Sequence, residues 1–324
     1  MEKEEKTVFK RLRSLDALRG FDMFWIAGGA AIFLGLGKAF PGPIFDQFLE
    51  QFEHVPWQGL HFFDLIWPLF MFIMGVAIPL SVARRRAEGS SDKSILLHAA
   101  KRAAIMFLLG TITQGNLLLF DLSKFRPCYS VLHGLAAGYL IATIVVLKVK
   151  TERHPATIGI FLLAYWAIIM FVPVPGIGAG ILTPDGNIAT YIDQLILGRF
   201  HFGENTWFLS YLGFGSSVLL GVLAGHILMD TDDSRIKIFR LLVLGSVYLL
   251  AGILWSLFFP VIKLLWTSSF VLIGGAISFY ILAASITRSV GSSDFCVGHL
   301  CRSLVNTILD VSQERIHTNL IFKI

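Results

Sequence analysis

The chain has 324 residues, of which 55 % are hydrophobic and 15 % charged, with a mean hydropathy of +0.70 and a net charge of +5. Soluble domains carry about 25 % charged residues, so this composition excludes an ordinary water-soluble enzyme and points to an all-α, polytopic transmembrane helical bundle. The basic residues sit between apolar runs rather than along one stripe, which excludes a nucleic-acid-binding surface.

Residues 1–19 form a basic N-terminal segment, and the apolar run that follows has no small-residue cleavage site, so it reads as a retained first span. Crossing about 30 Å of hydrocarbon takes roughly 20 helical residues. Eight runs approach or reach that length, at 20–38, 60–82, 103–120, 129–148, 156–173, 207–229, 240–259 and 266–287. They are continuously apolar rather than alternating, which selects helices over a barrel. The chain thus divides into a basic segment at 1–19, a transmembrane domain at 20–287 and a polar tail at 288–324.

Lysine and arginine set the orientation. Eighteen flank the N-terminal segment and the connections after the second, fourth and sixth spans, against five on the other side: Lys38, Lys124, Arg126, Arg199 and Lys263. The N-terminus is therefore expected in the cytoplasm. On the opposite side, the third outer loop carries an amphipathic stretch with Ile188, Tyr191, Ile192, Leu195 and Ile196 at helical spacing, expected to lie on the interface or cap the bundle. The tail after Ala284 has no spanning run and is expected to be poorly ordered or weakly helical. Its Cys296, His299 and Cys301 lack a fourth ligand, so no metal site is expected.

Ionisable groups at membrane depth are costly and each calls for a reason. The densest set is His54-Val55-Pro56-Trp57-Gln58-Gly59-Leu60-His61-Phe62-Phe63-Asp64, at the outer end of the second span. A histidine here can take a proton from an attacking amine or hydroxyl, or accept an acyl group itself. Ten residues of helix would separate His54 from Asp64, so the pair can meet only if the loop folds back, and Pro56 and Gly59 allow that. Spacing alone equally permits His54 and His61 as interfacial residues with Trp57 as an aromatic anchor. At the cytoplasmic end, Asp16 and Arg19 can pair, or Arg19 can bind a phosphate. Gln114 and Asn116 are candidates for interhelical hydrogen bonds, His133 for a bond to a backbone carbonyl, and Lys263 for snorkelling.

In combination these segments resemble a known family. Arg11-Leu12-Arg13-Ser14-Leu15-Asp16-Ala17-Leu18-Arg19-Gly20, His54-x-x-Trp57-x-Gly59-Leu60, Asp64-Leu65-Ile66-Trp67-Pro68 and Phe72-Ile73-Met74-Gly75 are similar to blocks of the heparan-α-glucosaminide N-acetyltransferase family and its bacterial relatives. Leu182-Thr183-Pro184-Asp185-Gly186-Asn187 and Lys263 to Phe270 resemble further blocks, so the likeness covers roughly residues 11–284. His133 and Gly134 depart from the Gln-Arg pair that the family carries there. The family also continues with more spans where this chain gives its polar tail.

The resemblance implies an integral membrane acyltransferase of a bacterial-type plasma membrane. It would move an acetyl group from cytoplasmic acetyl-CoA to an amine or hydroxyl of a carbohydrate acceptor on the outer side. It assigns His54 and Asp64 to catalysis, with His54 as base or acyl carrier. Arg13 and Arg19 are the candidate contacts for the donor's phosphates, and Trp57, His61 and Asn187 for the acceptor. Two rivals are a proton-coupled transporter using Asp64 and His61, against which no paired halves are found, and an inactive membrane scaffold.

Overall fold

The computed structural model describes residues 13–39 and 42–290. The first span is α1 (Arg13–Phe24) continued by α2 (Ala30–Ala39) through a π-helical turn at Trp25–Gly29, and α3 (Pro43–Glu50) follows outside it. Next come α4 (Ile66–Ala87), α5 (Asp92–Thr113), α6 (Val131–Lys148) and α7 (His154–Phe171). The short α8 (Ile188–Leu197) precedes α9 (Tyr211–Asp230), α10 (Ser234–Ser256) and α11 (Ser268–Val290). Eight segments are long and apolar enough to cross a membrane, and no strand occurs among the described residues.

The span boundaries differ from the hydropathy reading most at the third. It runs from Asp92 to Thr113 rather than over 103–120. Lys101 and Arg102 belong to the helix, where long cationic stems can lie along its apolar surface. At the other end Asn116 and Phe120 adopt positive φ, of 58° and 51°, so the apolar run from Leu117 leaves the helix. α11 continues to Val290, past the expected start of the tail; the tail from residue 291, with Cys296, His299 and Cys301, lies outside the described residues, as does the N-terminal segment before Arg13.

α9 and α11 are the most enclosed spans, whereas the first span, α5, α7 and α10 turn most of their surface outward. Away from their cationic ends the exposed residues are largely apolar, among them Leu97, Ile105 and Leu108 on α5, Ile160 and Leu163 on α7, and Val247 and Leu250 on α10. That pattern suits a lipid surround. The largest of three buried apolar clusters among the described residues is built on Leu69, Phe72, Val76, Val218, Leu219, Val222, Phe270 and Phe279.

Small residues let α4 and α9 approach closely, the usual device where lipid competes with helix packing. A Cβ on Gly75 would collide with the carbonyl oxygen of Val218, and one on Gly221 with that of Phe72. Gly225 makes room for Pro79, the proline inside α4. Neither seam glycine can take a methyl group without moving a backbone, and overpacking of this kind costs about 1–3 kcal/mol or more. Gly75→Ala is therefore expected to lower the thermal unfolding temperature clearly. Gly20→Ala, where a Cβ meets nothing within 4 Å, should not.

The kink in the first span has a function in the fold. Gly28 adopts a φ of 123° inside the π turn, a conformation only glycine takes cheaply. The turn places Trp25 against Phe33, Phe52 and Phe62, with ring centroids 5.5, 5.4 and 5.1 Å away. Phe33 and Phe52 stack nearly parallel at 4.9 Å. This aromatic clamp holds the loop after α3 against the bundle, two residues before His54.

Candidate active site

All connections that follow odd-numbered spans lie at the end opposite the start of α1. Three of them interlock there. Gly59, at a φ of 126°, donates its N–H to the carbonyl of Val261 at 3.0 Å, and Gln58 bridges to Ile262. The Trp57 indole donates to the Leu182 carbonyl at 2.9 Å, and the Thr206 amide to the Leu264 carbonyl at 3.1 Å. Phe63 N–H reaches the Gln51 carbonyl at 3.0 Å, so residues 51–63 double back on themselves.

The fold-back brings His54 to Asp64, with Nδ1 and Oδ1 2.7 Å apart. The Lys263 ammonium joins them, 2.9 Å from Asp64 Oδ1 and 2.9 Å from His54 Nδ1. The other carboxylate oxygen, Oδ2, accepts the amides of His61 at 3.1 Å and Val55 at 3.3 Å. A carboxylate has about four lone-pair sites, and here each faces a donor. A lone pair on Nδ1 facing the carboxylate at 2.7 Å would be repulsive, so Nδ1 carries the hydrogen and donates to Asp64. With that tautomer Lys263 donates to Asp64 rather than to Nδ1, and Nε2 keeps its lone pair, 3.5 Å from the same ammonium.

Exposure separates the roles. The His54 side chain is 56 % exposed, that of Asp64 1 % and that of Lys263 14 %. Asp64 was expected as a catalytic residue; the structure buries its side chain and holds it against the His54 ring, where it can orient the imidazole. Burial pulls the Lys263 pKa down, and the adjacent Asp64 carboxylate offsets part of that. Lys263 does not snorkel to the surface as its position before the last span suggested. It turns inward because Asp64 is a nearer and drier counter-ion than solvent.

The remaining sequence candidates separate. Trp57 is half-buried and its indole N–H is spent on loop three. His61 Nδ1 bonds the Glu53 carbonyl at 3.0 Å and its backbone serves Asp64, so it stiffens the loop. Asn187 is fully buried and caps α8: its Oδ1 accepts Thr190 N–H at 2.7 Å and its Nδ2 donates to Thr183 and Pro184 carbonyls. That geometry gives it a loop-building role rather than a surface for an acceptor. Arg19 pairs with Asp16 at 3.5 Å at the far end of the bundle, about 30 Å of hydrocarbon away. The Arg13 side chain lies outside the described residues.

Other polar groups are structural. His133 is fully buried; its Nδ1 accepts the amides of Tyr129 and Ser130, each at 3.1 Å, and its Nε2 reaches the Phe107 carbonyl at 3.1 Å. Asn116 donates to the Lys124 carbonyl within its own loop rather than between helices, because the chain has already left α5 there. Asp193 on α8 accepts the amides of Trp207 and Phe208 at 2.7 and 3.1 Å. Burial pushes its pKa up to about 6 while those two amides oppose the rise.

Comparison with known proteins agrees with the blocks of the sequence. A family described as "Domain of unknown function (DUF5009)" matches residues 11–119, which include His54 and Asp64 but not Lys263. Heparan-alpha-glucosaminide N-acetyltransferase of Mus musculus is 28 % identical over 330 residues, covering 84 % of this chain and 48 % of that protein. The Homo sapiens enzyme of the same name is 29 % identical with the same coverage. The chain is similar to heparan-α-glucosaminide N-acetyltransferase over most of its length. It spans about half the length of these two relatives. Lys263 lies in a block that resembles the N-acetyltransferase family, but its pairing with Asp64 appears only in the fold. The signal was an ionisable residue at membrane depth with no counter-ion on its own helix, which requires one elsewhere.

Proposed function

We propose that this chain is an integral membrane acetyltransferase that moves an acetyl group from acetyl-CoA to an amine or hydroxyl of a sugar, with His54 as general base. The observation that carries the reading is a half-exposed imidazole whose Nδ1 is fixed 2.7 Å from a buried carboxylate. Fixing Nδ1 as donor leaves Nε2 to accept a proton. As the acceptor's nitrogen or oxygen bonds to the acetyl carbon, Nε2 takes its proton. The carbon–sulfur bond then breaks and the thiolate leaves, receiving that proton from the imidazolium. Asp64 stabilises the transient imidazolium, and Lys263 keeps Asp64 charged and in place. The names of the two relatives support an N-acetyl product and a glucosaminide acceptor.

The basic end of the bundle, carrying Arg19, suits the polyanionic donor; with the N-terminus cytoplasmic, the donor's pantetheine arm threads between the helices to bring the thioester to His54 at the other end. Acyl relay through His54 Nε2 is the variant of this scheme in which the acetyl group rests on the imidazole between donor and acceptor. The test uses sealed proteoliposomes, radiolabelled acetyl-CoA on one side and a panel of amino sugars on the other. Labelled N-acetyl sugar on the far side is the expected result. No label in any sugar, with the protein inserted and folded, ends the proposal.

A further inference from the structure

At the basic end, far from His54, α4, α5 and α6 line a shallow, partly open cleft whose interior has room for about one water molecule, about 10 Å³. Arg85, His98, Tyr139, Ser81 and Thr143 supply its polar walls. The charges around it are unevenly paired. Arg84 has Glu88 at 3.6 Å, and Arg86 has Asp92 in a two-pronged bond at 3.0 and 3.1 Å. Arg85, which lines the cleft, has no carboxylate partner among the described residues. Neither do Lys101 and Arg102, which with Arg85 lie close enough to His98 to act on it electrostatically. Arg102 is held over the Tyr139 ring, 5.2 Å from its centre, so its guanidinium is positioned at the cleft.

α5 continues this arrangement into the membrane. His98, Arg102, Ile105 and Leu109 follow each other at helical spacing and form one stripe. The first two are cationic or polar. Ile105 and Leu109 are 48 % and 46 % exposed, beside Leu108 at 53 %, and all three are apolar. From Arg102 to Leu109 the helix rises about 10 Å. A phosphate at the cleft would therefore have an apolar track leading inward from it.

We propose that the open mouth of this cleft binds the phosphate of an anionic phospholipid, with Arg85 on its wall and Arg102 over Tyr139 clasping the headgroup and an acyl chain lying along Ile105, Leu108 and Leu109. Three neighbouring cations with no carboxylate partner among the described residues favour an anion here. The adjoining exposed apolar stripe distinguishes a lipid from a soluble phosphate, which would have no use for it. Basic pockets between membrane helices near the headgroup level are a known way of recognising anionic lipids.

The test is native mass spectrometry of the full chain in detergent, with added dioleoylphosphatidylglycerol or dioleoylphosphatidylcholine. One phosphatidylglycerol retained per chain, and little phosphatidylcholine, is expected. The double variant Arg85→Gln/Arg102→Gln should retain about tenfold less, and Arg85→Gln alone about threefold less. Arg84→Gln/Arg86→Gln, which removes the paired cations, should retain as much as the unaltered chain. Equal retention of the two lipids overturns the proposal. So does unchanged retention in the double variant at an unchanged unfolding temperature. Release of phosphatidylglycerol by millimolar inorganic phosphate or ADP would make the site one for a soluble phosphoryl ligand, and the lipid assignment would fall.

Discussion

Replacing His54 by alanine should lower acetyl transfer by about 10²- to 10⁴-fold, the range that a positioned general base contributes, while the protein remains folded and membrane-inserted. The expectation of intact folding comes from the side chain's 56 % exposure and from its place at the mouth of the loop rather than in the aromatic clamp. Turnover measured with labelled acetyl-CoA, alongside thermal unfolding of the same sample, separates the two effects. If imidazole is only a base, added free imidazole should restore part of the activity of His54→Ala. If the acetyl group rests on the ring, a labelled acyl-enzyme should accumulate in the unaltered chain when no sugar is supplied. Full turnover of His54→Ala would remove this residue from the chemistry altogether.

The second large effect concerns stability. Asp64→Ala strips the buried Lys263 ammonium of its carboxylate and frees the amides of Val55 and His61 from theirs. Removing one partner of a buried ion pair costs about 3–5 kcal/mol, so this variant should unfold at a much lower temperature or fail to accumulate. Lys263→Met should cost less, because Asp64 keeps His54 and two amides as donors. The pair Asp64→Asn/Lys263→Met should recover much of the loss, since neither charge then remains buried alone. A double-mutant cycle in thermal or denaturant unfolding gives the coupling directly. Additive losses would show that Asp64 and Lys263 do not depend on each other.

The parts of this molecule that periodicity controls were readable in the sequence. Eight continuous apolar runs became eight helices, because a chain in hydrocarbon can satisfy its backbone in no other open-ended way. The third span slipped because hydropathy treats Lys101 and Arg102 as loop residues, whereas their stems can stay on the helix. His54 and Asp64 were visible as residue types, but only resemblance singled them out. Their meeting depends on a turn through Pro56 and Gly59 and on hydrogen bonds to loops 182 and 261, none of which has a period. Asn187 shows the same limit, because spacing does not tell an amide that caps a helix from one that binds a sugar. Lys263 was invisible as a partner since the residue it pairs with lies 199 positions away.

That separation has a consequence for biosynthesis. A ribosome adding about 5–20 residues per second exposes Asp64 some 10–40 s before Lys263 exists. Throughout that interval the acid sits at the rim of a half-inserted bundle with no cation of its own. The nascent chain must therefore keep this rim wet, or shielded by insertion factors, until the seventh and eighth helices enter. Closing the ion pair then follows the arrival of α10 and α11, and is a molecular signature that this hairpin is in place.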